Sequence, residues 1–179
     1  MSKALSWTLQ SEQPRHADGI DRVHRRAFQG ENAAGLVRRL RAEGGYDPSL
    51  SLVAEEEGGA GEVLGHVLFS PIAIVRGDAP APALALGPLG VLPARQSQGI
   101  GSALVRAGLE ACRKAGYGIV LVLGDPGYYS RFGFLPASGA RIEPPRPEWA
   151  GAFQVLALIP GALDVVRGVA RYPEAFDDV

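Results

Sequence analysis

An α/β (α+β) layer architecture, a mixed sheet with helices packed on its faces, is what this sequence predicts, on three observations. Apolar residues recur at helical spacing in two stretches near the N-terminus. The period then changes to short strand-like runs bounded by glycine and proline. Later, an amphipathic helix is followed directly by an all-apolar run of strand length. At 179 residues, 46% of them hydrophobic, the chain has the size and apolar content of one compact domain, residues 1–179.

The elements follow in order. Ile20, Val23, His24, Ala27 and Phe28 form an i, i+3, i+4, i+7, i+8 stripe, which argues for a helix. His24 sits on that stripe and reads as a packed histidine rather than a ligand. Ala33, Leu36, Val37 and Leu40 mark a second helix that stops near Gly44-Gly45. Leu50 to Ala54 and Val63 to Val75 read as strands, separated by the turn-like Glu57-Gly58-Gly59-Ala60-Gly61. The carboxylates Glu55, Glu56 and Glu57 read as a solvated strand end.

Ala83 to Leu92 is a third strand, in which Gly87-Pro88 should force a bulge or cost a partner, since proline cannot donate to a ladder. Ser102 to Ala115 is a helix with Val105, Leu109 and Cys112 along one face, and Arg106, Glu110 and Lys114 in opposite-charge i, i+4 pairs on another. Cys112 therefore reads as core packing. Gly118 to Gly124 is a strand buried on both faces. A helical turn follows around Tyr128 to Phe132, then a proline-rich loop, Pro136 to Pro147. The strand Ala152 to Ile159 and an extended piece from Arg167 to Tyr172 close the chain.

Charge and composition exclude several functions. Eighteen basic residues against nineteen acidic ones leave a net charge of -1, without the basic excess that a nucleic-acid binder needs. The arginines at 22, 25, 26, 38, 39 and 41 have carboxylates nearby and read as solvated helix faces. One cysteine excludes an intramolecular disulfide, and three scattered histidines offer no metal-ligand cluster. Met1 to Gln10 does not look like a secretory signal, and no apolar run approaches the roughly 20 residues of a membrane span. A cytoplasmic setting, with no nucleic acid, membrane or metal involved, is the expectation.

The chemistry concentrates in Gly90-Val91-Leu92-Pro93-Ala94-Arg95-Gln96-Ser97-Gln98-Gly99-Ile100-Gly101-Ser102. An apolar strand ends at Pro93, and a loop with two glycines opens into a helix. The first N–H groups of that helix lack intrahelical partners and lie at the positive end of its dipole, and glycine lets backbone come close to a ligand. The pattern suits a phosphate or pyrophosphate. A Walker A loop would need a lysine that is absent, and a dinucleotide fingerprint would need glycine where Leu104 stands.

Gln96-Ser97-Gln98-Gly99-Ile100-Gly101 resembles the Gln/Arg-x-x-Gly-x-Gly/Ala signature of the GNAT superfamily of N-acetyltransferases. Downstream, Tyr129-Ser130-Arg131-Phe132-Gly133-Phe134 resembles the family's Tyr-x-x-x-Gly-Phe segment, in the family's order. The longer string Gly124-Asp125-Pro126-Gly127-Tyr128-Tyr129 looks like a bacterial subgroup with mostly unassigned substrates. The motif-bearing core spans about residues 20–160, leaving a C-terminal tail at 161–179.

The resemblance implies an acetyl-CoA-dependent N-acetyltransferase built on a mixed, mostly antiparallel central sheet with helices on both faces. Backbone groups of Leu89, Gly90 and Val91 would pair with the pantetheine arm, and one N–H would polarise the thioester carbonyl. Gln96, Ser97, Gln98, Gly99, Ile100, Gly101 and Ser102 would hold the pyrophosphate, with the Ser102 hydroxyl as an extra donor and Arg95 adding charge near the 3′-phosphate. Tyr129, in preference to Tyr128, would be the acid that protonates the leaving thiolate.

Many family members place a glutamate on the strand before the first motif, and Ala83 to Leu92 holds no carboxylate. The base is then a water relay including His66, or Asp125. The acceptor would be a primary amine of a small molecule, peptide or protein, entering near Gln29 to Asn32 and the loop Pro136 to Pro147. The protein would act as a monomer or homodimer. A non-catalytic acyl-CoA-binding or sensing module is the main alternative. An acetyltransferase toxin acting on aminoacyl-tRNA is disfavoured by the net charge.

Overall fold

The computed structural model describes residues 6–58 and 61–177. The middle of the glycine turn, Gly59-Ala60, and the first five residues of the Met1 to Gln10 segment lie outside it. The chain divides into two compact units. One gathers the residues up to Leu68 with Pro88–Gly108, and the other gathers Phe69–Gly87 with Leu109–Asp177.

In the first unit, strand β1 (Trp7–Ser11) pairs antiparallel with β2 (Ser51–Glu56), and β2 pairs antiparallel with the start of β3 (Val63–Arg76). Ser51 faces Leu68 and Val53 faces His66 across that second ladder, which shifts register between Ala54 and Glu55. Helix α1 (Ala17–Phe28) buries Ile20, Val23 and His24 of the predicted apolar stripe, but Ala27 is only half-buried and Phe28, at the last turn, is exposed. Helix α2 (Asn32–Glu43) buries Ala33, Ala34, Leu36, Val37 and Leu40 and ends at Gly44, whose φ of 68° suits a residue without Cβ. The basic faces are neutralised locally. Arg25 bridges Asp21 (2.7 Å) and Glu31 (2.5 Å), and Arg38 bridges the same two carboxylates at 2.5 and 3.1 Å.

The end of β4 (Ala79–Val91) and the first half of α3 (Ile100–Lys114) complete this unit. Gly65 sits where a Cβ would come within 3.0 Å of Ile100 and Leu104, so bare backbone lets α3 approach β3 closely.

In the second unit, β4 pairs in parallel with β5 (Ile119–Leu123), from Leu84 facing Val120 to Leu86 facing Val122. After a short helix α4 (Pro126–Tyr129) come β6 (Leu135–Pro136), β7 (Ile142–Glu143), β8 (Phe153–Ala157) and β9 (Gly168–Arg171). β8 pairs antiparallel with both β5 and β6, β9 antiparallel with β3, and β7 in parallel with β9. Most of these pairings are antiparallel, as the fold class requires. Ile72, Ile74, Leu121, Ile142, Phe153 and Val155 form the core of this unit.

Three elements differ from expectation. β1 carries a half-buried pattern with no strong apolar alternation, and it is recruited by pairing with β2. β4 starts earlier and runs unbroken through Gly87-Pro88, because Gly87 takes a φ of 150° that other residues rarely adopt; the ladder with β5 ends at the residue before it. The proline-rich loop contains 3-10 turns and β7.

Candidate active site

Past its ladder with β5, β4 continues through Leu89, Gly90 and Val91 and stops where the Leu92 N–H donates to the Leu64 carbonyl at 2.9 Å. A 3-10 turn, Pro93–Arg95, then starts the loop. Two glutamine amides brace it. Gln96 Nε2 donates to the Val91 carbonyl (3.1 Å) and Gln98 Nε2 to the Ala94 carbonyl (3.2 Å). Arg95 lies 3.8 Å from Glu56.

Ser97 and Gly99 both adopt positive φ, 61° and 84°, and turn the chain into α3 at Ile100. The Ala103 N–H donates to the Gly99 carbonyl at 3.0 Å, so the N–H groups of Ile100, Gly101 and Ser102 precede the helical ladder. A Cβ built on Gly99 would meet nothing within 4 Å. Open space beside unladdered N–H groups fits the pyrophosphate of a coenzyme A derivative.

Behind β4 lies a buried polar chain that the sequence did not reveal. Glu12, just after β1, accepts from Arg41 Nη2 (2.5 Å) and from Ser51 Oγ (2.5 Å). Ser51 Oγ is 2.7 Å from His66 Nε2, and His66 Nδ1 is 2.7 Å from His24 Nε2. His24, Ser51 and His66 are fully buried. Burial opposes ionisation of Glu12, but His66, 3.7 Å away, and hydrogen bonds with Ser51 and Tyr46 outweigh it and bring its pKa down to about 2. Burial, with the charges of His66 and Arg41, lowers His24 to about 2, and burial likewise lowers His66. Burial and the neighbouring Glu12 carboxylate push Tyr46 up to about 12. His66, expected to lead a water relay, is thus packed between a serine and a second histidine. Each member comes from a different element, so only His24's place on an apolar stripe hinted at it.

In the second unit, the Asp125 carboxylate accepts from the Gly127 N–H (2.9 Å) and caps α4. A capping role explains Asp125 without catalysis. The Tyr129 ring meets Tyr128 edge-on at 5.0 Å and Phe134 at 5.8 Å. A Cβ on Gly124 would lie 2.5 Å from Tyr129 Cε2, so the glycine makes room for the ring. Burial, then the adjacent Tyr128, raises the Tyr129 pKa, leaving a phenol that donates at every working pH. The Arg131 guanidinium covers the Tyr128 ring at 4.5 Å.

A cleft of about 450 Å³ in the first unit is lined by Arg25, Arg26, Gln29, Glu62 and the segment from Leu92 to Arg95. Glu55 is not a solvated strand end. It is mostly buried and accepts from the Gln10 amide and from both terminal nitrogens of Arg15 (2.6 and 2.9 Å), and Arg15, with His16, holds its carboxyl below the usual carboxylate range. Cys112 is buried, and burial pushes its thiol up to about 12, as fits a core residue. Among the described residues no group of three or more His, Cys, Asp or Glu is placed to hold a metal ion, and no helix is long and apolar enough to cross a membrane.

Comparison with known proteins agrees with this architecture. The profile of the Acetyltransferase (GNAT) family matches residues 17–134, a span that contains both motifs. The uncharacterized N-acetyltransferase YhbS of Escherichia coli is 38% identical over 169 residues, covering 94% of this chain and 98% of that protein. The crystal structure of YhbS in complex with CoA superposes with a TM-score of 0.90 at 36% identity, covering 99% of this chain and 95% of that one. A GNAT family acetyltransferase from Brucella melitensis, solved with acetyl-CoA, gives a TM-score of 0.78 at 39% identity over 96% of this chain and 99% of that one. With its sheet, its strand–loop–helix segment and these relatives in agreement, the chain belongs to the GNAT family of acetyltransferases.

Proposed function

We propose that this protein works as one domain that binds acetyl-CoA and transfers its acetyl group to a primary amine of a small molecule, peptide or protein, by direct attack on the thioester. The observation that carries this reading is the braced loop between β4 and α3, with open space over Gly99 and three unladdered N–H groups, in a chain whose relatives were solved with CoA and acetyl-CoA. In this reading Leu89, Gly90 and Val91 offer backbone groups to the pantetheine arm, and one of their N–H groups polarises the carbonyl. The stretch from Gln96 to Ser102 holds the pyrophosphate through its backbone.

The amine nitrogen attacks the acetyl carbon, forming the C–N bond as the carbonyl pair moves onto oxygen. Collapse re-forms the carbonyl and breaks the C–S bond, and the thiolate takes the Tyr129 proton. The proton lost by the amine leaves toward the buried histidines, His66 among them. The Gly124 to Phe134 segment resembles that of a bacterial subgroup of the family, and a single, buried cysteine supports a cytoplasmic setting in this reading.

A panel of primary amines incubated with acetyl-CoA, read by release of free CoA thiol, tests the reading. At least one amine should release thiol far above the rate of thioester hydrolysis. Acetyl-CoA binding with no amine acetylated would mark a non-catalytic binding module, and preference for ATP over CoA in calorimetry would remove the coenzyme assignment itself.

A further inference from the structure

The hydrogen-bond chain behind β4 has one direction, set by the Glu12 carboxylate at its end. Glu12 is ionised beside Arg41 and only accepts, so the single Ser51 hydroxyl proton points to Glu12. Ser51 Oγ must then accept from His66 Nε2, which therefore carries a hydrogen. A neutral His66 has a bare Nδ1, so the bond to His24 is donated by His24 Nε2. A neutral His24 is left with a bare Nδ1.

That nitrogen is buried and has no hydrogen-bond partner among the described residues. It is aimed at Gly90, where an added Cβ would lie 2.8 Å from it. Gly90 is on the strand that carries no carboxylate, so an imidazole from α1 supplies a basic atom where the strand offers none. The ring is one side chain below the surface. It stacks on Phe28 at 5.9 Å, and Phe28 is 51% exposed.

We propose that His24 Nδ1, polarised by the chain Glu12–Ser51–His66, takes the proton of the attacking amine once the half-exposed Phe28 ring that stacks on the imidazole swings aside. This assignment rests on the acetyltransferase reading and names the base for it. As the tetrahedral intermediate collapses, the amine proton passes to His24 Nδ1. His24 gives its Nε2 proton to His66 Nδ1, His66 gives its Nε2 proton to Ser51 Oγ, and Ser51 gives its proton to Glu12. No imidazolium persists in the buried site, where it would be costly. As the product leaves, the chain runs in reverse, Glu12 returning its proton through Ser51 and His66 until His24 Nδ1 gives it to solvent and is bare again. The Tyr129 phenolate takes a proton from solvent, and the net reaction releases CoA thiol and amide. Besides Glu12 and the two histidines, the groups facing this chain are Arg41, Tyr46 and His16.

The variant Glu12→Gln tests the direction at a distance from the reacting atoms. Arg41 holds the amide oxygen, so the amide N–H₂ faces Ser51, and the chain reverses until His24 Nδ1 carries a hydrogen. Imidazole 15N NMR of the wild-type protein should show His24 Nδ1 without a proton and His24 Nε2 with one, and in Glu12→Gln the two should exchange. With the most active amine of the panel, kcat/KM should fall about 100-fold in Glu12→Gln while acetyl-CoA affinity stays within about twofold. A protonated Nδ1 in the wild type would overturn the proposal, and needs no variant to fold. Full activity in a Glu12→Gln protein whose Nδ1 is shown to carry a hydrogen would also overturn it. A panel with no acetylated amine sinks the transferase reading instead, which the wild-type spectrum does not depend on.

Discussion

Tyr129 is positioned by residues within a few places of it in the chain. Asp125 caps the turn, Gly124 leaves room for the ring, and Phe134 packs on its edge. Its hydroxyl adds nothing to the ring packing, so Tyr129→Phe should lower kcat about 100-fold and leave acetyl-CoA affinity nearly unchanged, measured by thiol release and calorimetry. An unchanged kcat would remove Tyr129 from the acid role. Local arrangements of this kind are legible in a sequence because neighbours in the chain are neighbours in space. The chain from Glu12 to His24 was not legible. Ser51 and His66 meet only through the antiparallel register of β2 and β3, and Glu12 and His24 arrive from a loop and a helix.

Among the elements, the strand–loop–helix segment depends on backbone conformation more than on side chains. Gly99 has a φ of 84°, which costs an L-residue about 1–2 kcal/mol, and a side chain there would point into open space. Gly99→Val should therefore weaken CoA binding at least about tenfold in calorimetry, by strain rather than by a clash with the protein. Gly99→Asn, which tolerates the left-handed region, should bind closer to wild type. Equal losses in both variants would mean that the space over Gly99, not its φ, is what binding uses. Helical periodicity marked α1, α2 and α3 to within a few residues, because each buries one apolar face. The sequence does not mark β1, which is only half-buried, or the start of β4, where alternating prolines disguise an exposed strand end.

For the whole molecule, the buried histidines set the response to acid. Folded His24 stays neutral down to a pKa of about 2, whereas an unfolded imidazole protonates near its ordinary value of 6.5. Below that pH the unfolded chain binds more protons, so stability should decline as pH falls from about 6.5, and His66 acts in the same direction. Each group contributes a slope of up to about 1.4 kcal/mol per pH unit. Glu12, lowered from 4.5 to about 2, adds stability that is complete above pH 4.5 and lost between those values. Denaturant melts across pH 7 to 4 should show this decline, and it should flatten in a His24→Asn variant; a flat wild-type profile would contradict it. Both compact units are also sewn from separate stretches of chain, which governs how the protein is born. The first half of the polypeptide cannot complete its unit until the stretch from Pro88 to Gly108 has left the ribosome, because Ile100 and Leu104 close over Gly65. Folding should therefore be late and slow relative to synthesis, with α1 and α2 waiting on a segment made well after them.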